Sequence, residues 1–200
     1  IWPSRQKQLS GERCLKKSIG IQWPKYMKAI KKAVILCDKI NEWIGSFIVT
    51  SAVFLFILVI FSNVIMRYVF NTSFVFMAEL EWHVFAFIFL MGTGFTLLHD
   101  GHVRVDIFYS MMDRKKQALI NLLGVIFLLI PSCYVVLRTS IPWVIVAYKV
   151  GEVSIDPGGI PARFLLKATL PIGYLLMLIQ GLSLFIKSAF TLLGDPLEDS

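Results

Sequence analysis

The residues best equipped for chemistry sit in three short polar stretches. The first reads His99-Asp100-Gly101-His102-Val103-Arg104-Val105-Asp106. Two imidazoles and two carboxylates this close could hold a transition metal, and a membrane enzyme could draw on the same loop. No cysteine or further histidine stands nearby to close a coordination shell, so no metal is expected. A polar helix exit with a tight turn, Arg104 pairing with a carboxylate or a phosphate, would need no function at all. The reading preferred here is a loop that contacts another protein or anchors at a membrane interface through Val103, Ile107 and Met111. His102, Arg104 and Asp106 are then its contact residues.

The second stretch holds Glu79, Glu81 and His83. Glu79 and His83 are four apart and share a helical face, and Arg67 lies at the end of the preceding apolar run. Together Arg67, Glu79, Glu81 and His83 are expected to form a polar cluster at the outer surface. A proton relay would need ionisable groups deeper in the apolar segments, whose centres carry no Asp, Glu, His or Lys, so bracing a helical hairpin is the expected role. The third stretch, Gly151 to Gly159, is rich in turn formers and must reverse the chain. Within it Glu152 and Ser154 could cap a helix or meet a partner. Cys14, Cys37 and Cys133 have no paired spacing, so neither a disulfide framework nor a metal knuckle is indicated. Haem between facing helices would want histidines that three of the four apolar segments lack. No cofactor is expected.

The elements that carry these residues are apolar helices. The chain is 56% hydrophobic and only 16% charged, with a mean hydropathy of +0.71, a composition suited to lipid rather than water. Membrane spans are expected at about 44–66, 82–98, 118–138 and 164–186, each long enough at 1.5 Å per residue to cross most or all of a core about 30 Å thick. Pro131, Arg138 and Pro142 should tilt, kink or turn the third apolar run. Before the first span, Met27, Ile30, Val34, Cys37 and Ile40 recur at three- and four-residue steps while Lys25, Lys28, Lys31 and Lys32 take other faces. Residues 23–43 therefore read as an amphipathic interfacial helix whose lysines meet anionic lipid. Residues 1–22 read as a loose polar tail, 44–193 as a four-helix membrane domain and 194–200 as a C-terminal tail. The fold class is all-α integral membrane, four transmembrane helices behind an N-terminal amphipathic one.

Net charge of +7 could suggest nucleic acid, but half of the twenty Lys and Arg precede Trp43, interleaved with apolar residues. No nucleic-acid partner is expected. With both termini inside, fifteen Lys and Arg fall on the cytoplasmic side and five outside, which orients the chain.

Several motifs resemble one family. They are Asn63-Val64-Ile65-Met66-Arg67-Tyr68 with Asn71, Glu79-Leu80-Glu81-Trp82-His83, and His102-Val103-Arg104-Val105-Asp106. Farther on come Gly151-Glu152 with Ser154, Asp156-Pro157-Gly158-Gly159-Ile160-Pro161, and Leu170-Pro171-Ile172-Gly173. From about Trp43 to Leu193 the chain resembles the small membrane (DctQ-type) subunits of TRAP, tripartite ATP-independent periplasmic, transporters. The form of Leu97 to Asp106 looks like the branch commonly labelled for mannitol or chloroaromatic compounds. The resemblance implies a bacterial inner-membrane scaffold, not an enzyme. Its partners would be a large membrane subunit that carries an organic acid inward with sodium and a periplasmic binding protein that delivers it. Two other readings stand beside it: a small homodimeric proton-coupled exporter, which would need an essential buried carboxylate, and a membrane enzyme using the His99–Asp106 loop.

Overall fold

The structure is a computed structural model that describes residues 25–99 and 112–193. Every regular element among them is a helix. Lipid requires this, because without water each segment must satisfy its own N–H and C=O groups. The chain divides into two compact units between Ala33 and Val34. Of the first, only the opening turns of α1 (Lys25–Trp43) are described, with Lys31 and Lys32 exposed.

The second unit takes in the rest of α1 and then a π-helical turn, Ile44–Val49, that leads into α2 (Thr50–Tyr68). α3 (Val75–Leu98) comes next, then α4 (Arg114–Gly124), a second π-helical turn at Val125–Leu129, α5 (Ile130–Val150) and α6 (Phe164–Leu192). The π turns join their neighbours without a break. Four helical stretches among the described residues are therefore long and apolar enough to cross a membrane: Ala29–Tyr68, Val75–Leu98, Arg114–Val150 and Phe164–Leu192.

These helices extend beyond the apolar segments marked in the sequence. Trp43 keeps α-helical dihedrals (φ −64°, ψ −43°), so no bend separates α1 from the π-helical turn at Ile44. α3 starts at Val75, after Asn71 (φ 50°) and the extended Phe74 have turned the chain. Glu79 and Glu81 thus lie inside the helix, just beyond its first turn. α5 continues through Pro142 and stops only at Gly151, whose left-handed φ of 63° ends it. Losing one backbone hydrogen bond at Pro142 leaves fewer groups unsatisfied than ending a helix in lipid would. Thr139 Oγ1 also donates back to Val135 O (2.9 Å) and Val136 O (3.1 Å).

α6 is the central element, packing on α3, α4 and α5, while α2 packs on α3. A third of its apolar window is buried (33%), against 11% in each of the other three stretches. Close approach is set by small residues, as is common between helices in membranes. A Cβ on Gly173 would stand 2.5 Å from Leu90 O, and one on Gly181 2.5 Å from a Leu129 methyl. Outward faces are greasy: Phe54, Phe61, Phe89, Phe127, Leu128 and Tyr134 are all exposed.

Candidate functional site

At the end of the bundle that carries residues 151–163, the chain leaves α5 through Gly151 and closes a compact loop. Glu152 N–H donates to Ala147 O (3.0 Å), Ser154 N–H to Ile160 O (3.2 Å) and Arg163 N–H to Glu152 O (3.0 Å). At its tip Gly159 N–H bonds Asp156 O (3.0 Å). Pro157 and Gly158 (φ 81°) take the two central positions that a type II turn asks of them. Glu79 reaches from α3 into this loop and is only 4% exposed. Its Oε1 accepts the Ser154 hydroxyl, its Oε2 accepts Ile160 N–H at 2.6 Å, and Arg163 Nη2 stands 4.0 Å away. A Cβ on Gly159 would lie 2.6 Å from Glu79 Oε2, so the glycine keeps the carboxylate's seat open. Ser154 is turned inward, as an internal partner of Glu79.

Glu81 serves a different joint. It accepts Asn63 Nδ2 at 2.7 Å, tying α3 to α2. His83 Nδ1 lies 2.6 Å from Glu79 O, so that nitrogen carries the proton and donates it. Its ring packs on Trp82, and Nε2 is buried with no partner. Arg67, in the last turn of α2, is exposed and makes no hydrogen bond or ion pair among the described residues. Arg163 is the cation beside Glu79. Nothing in local spacing points to Arg163, because it comes from the far end of the chain. Glu152 pairs with Lys167 at the start of α6. Lys167 Nζ sits 4.1 Å above the Trp143 ring and the Arg163 guanidinium 5.7 Å from the Trp82 ring. These residues border a cleft of about 390 Å³.

The inner contact residues His102, Arg104 and Asp106 lie outside the described residues, as do the side chains of Lys25 and Lys28.

A second polar cluster, not singled out from the sequence, occupies the opposite end of α6. Asp38 Oδ1 accepts Gln180 Nε2 (3.0 Å) and Ser183 Oγ (2.7 Å), and Asp38 Oδ2 lies 2.8 Å from Lys187 Nζ. Asn41, 1% exposed, donates from Nδ2 to Gln180 Oε1 (3.0 Å) and Cys37 O (3.2 Å). Beside this network, the partly exposed Glu42 and His99 side chains meet at 2.9 Å. The signal was present in the sequence: Gln180, Ser183 and Lys187 share a helical face inside an apolar run, and polar residues there seek partners.

Among the described residues no three His, Cys, Asp or Glu side chains gather as a metal would need. What the polar groups do is join helices at two levels. Lys167 and Lys187 are twenty positions apart on α6, about 30 Å at 1.5 Å per residue, and no Asp, Glu, His, Lys or Arg lies between them.

Helices of this length, with most of their charged groups near their ends and apolar outer faces, define a multi-pass membrane protein. Residues 40–191 match the family described as Tripartite ATP-independent periplasmic transporters, DctQ component, and with well over half its length covered the chain belongs to that family. It is a small membrane component of the TRAP type, and its family association is with a large membrane subunit and a binding protein. A comparison with curated proteins finds no match.

Proposed function

We propose that this chain is the stationary small subunit of a TRAP transporter in a bacterial inner membrane, with both termini cytoplasmic. It braces the large membrane subunit while that subunit carries an organic acid inward with sodium, after delivery by an extracytoplasmic binding protein. The placement of polar groups carries the reading. A carrier needs polar groups in mid-membrane free to bind and release a solute. Here α2 has no Asp, Glu, His, Lys or Arg before Arg67, α3 has none between His83 and His99, and α6 has none between Lys167 and Lys187. Arg138 on α5 is exposed at the outside of the bundle rather than turned into it. The polar residues that are buried are largely occupied in holding the chain's own helices, and the broad apolar faces are left for lipid or a neighbouring subunit.

The loop of residues 151–163 and the exposed Arg67 are proposed to face the binding protein, and His102, Arg104 and Asp106 to meet a partner on the cytoplasmic side. Lys25, Lys28, Lys31 and Lys32 suit anionic headgroups. The branch resemblance of Leu97–Asp106 leaves the solute at the level of organic acid. A proton-coupled exporter finds no support in Glu79, whose two oxygens are already taken by Ser154 and Ile160. The test is sodium-driven uptake into proteoliposomes holding both membrane subunits, with binding protein and solute outside. Omitting this chain is expected to drop uptake to background, and uptake at full rate without it would overturn the scaffold role.

A further inference from the structure

The cleft beside Lys167 is not used by the bracing role. Its lining follows a gradient along the bundle. At the loop end stand Glu152, Arg163, Leu166, Lys167, Trp82 and Trp143; deeper in come Ala86, Leu90 and Leu170. Trp82, Ala86 and Leu90 recur every four residues on one face of α3, and Arg163, Lys167 and Leu170 run along a similar line at the start of α6. From Trp82 to Leu90 the cleft descends about 12 Å at 1.5 Å per residue. Polar at one end and apolar below, it matches an amphiphile standing along the helices, and tryptophans belong at that boundary.

Charge narrows the class. Arg163 and Lys167 are balanced by Glu79 and Glu152, so the site offers both signs and no net excess. Arg163 meets Glu79 only at 4.0 Å, which leaves most guanidinium donors open. Glu152 uses Oε2 for Lys167, and its Oε1 has no partner among the described residues. A phosphate can take the cations and a primary ammonium can donate to Glu152.

We propose that this cleft binds one phosphoethanolamine-headed phospholipid. Its phosphate lies at Arg163 and Lys167, its ammonium at Glu152, and one acyl chain lies along Ala86, Leu90 and Leu170. A phosphoglycerol head lacks the ammonium, and a choline head cannot donate a hydrogen bond to Glu152.

The test uses the full chain in mild detergent, stripped of lipid and titrated with phosphatidylethanolamine, phosphatidylglycerol and phosphatidylcholine of equal chain length, read by native mass spectrometry. One phosphatidylethanolamine per chain should persist, favoured over the other two by about fivefold or more, a difference of about 1 kcal/mol. Glu152→Gln, which removes the charge that the ammonium meets, should lose that preference. Ala86→Trp fills the apolar floor without touching a charge; it should cut retention of phosphatidylethanolamine by a similar factor while helical circular dichroism stays unchanged. Free phosphoethanolamine at equal concentration should not displace the lipid, since it has no chain to bury. Equal retention of phosphatidylglycerol, full retention by Ala86→Trp, or displacement by the bare headgroup would each overturn the proposal.

Discussion

A buried carboxylate must have its lone pairs met, and Glu79 shows how a helix supplies them from another part of the chain. Ser154 can rotate its hydroxyl, but Ile160 N–H is fixed and can only donate. In Glu79→Leu the side chain can accept from neither, and Ile160 N–H is left without its acceptor. The loop should then open locally, with protease nicking within residues 151–163 rising about tenfold. Unchanged nicking would remove Glu79 as the loop's anchor. Gly94 shows the same dependence on a distant residue. Asn41 Oδ1 has no hydrogen-bond partner, and it packs so close on Gly94 that a Cβ there would overlap it. A Cα–H can face that oxygen where a methyl cannot. Gly94→Ala is expected to cost about 1–3 kcal/mol in detergent unfolding. Adding Asn41→Ala vacates the space, so the double variant should be less unstable than the sum of the two single ones, and strict additivity would refute the contact.

Among the helices, packing decides what a residue is worth. Where α3 crosses α6, Gly173 faces Leu90 O, and Thr93 Oγ1 donates to Leu90 O (2.8 Å) and lies 3.4 Å from Gly173 O. Gly124 stands at a helical junction too, yet a Cβ there would meet nothing within 4 Å. The same substitution therefore has opposite signs. Gly173→Ala should destabilise by about 1–3 kcal/mol as the helices are pushed apart. Gly124→Ala should stabilise by about 0.5–1 kcal/mol through helix propensity alone. Parallel unfolding curves of the two variants check this, and equal shifts of the same sign would contradict the packing described. Helix extent was only partly readable beforehand: hydropathy marks where lipid is, whereas the backbone stays helical past that limit wherever ending would strand its polar groups.

For the molecule as a whole, the two polar joints lie about one membrane thickness apart along α6, and the Lys and Arg distribution supports the proposed orientation with the loop joint outside. That orientation can be read directly. In a chain whose cysteines are replaced by alanine, Ile155→Cys, at a position 90% exposed in the loop, should react with an impermeant maleimide on intact spheroplasts. Met112→Cys, at the other end, should react only after permeabilisation. The reverse pattern would invert the topology and with it the proposed side of the binding-protein contact.

Taken alone, the sequence was enough to establish an all-helical chain with four membrane-length apolar stretches, and its motifs pointed to the right family. Both rest on one-dimensional information, because lipid solvation depends on composition over some twenty residues and motifs are strings. It also put Glu79 and His83 side by side, since residues four apart on a helix are neighbours whatever else folds around them. Only tertiary structure decided the partners: Arg163 and Ser154 rather than Arg67 for Glu79, Asn63 for Glu81, and the whole Asp38, Asn41, Gln180, Ser183 and Lys187 network. Those contacts join residues 18 to 149 positions apart, and which helix lies against which is set by the fit of small residues such as Gly94 and Gly173 to a particular neighbour, a property of two surfaces that neither stretch of sequence carries by itself.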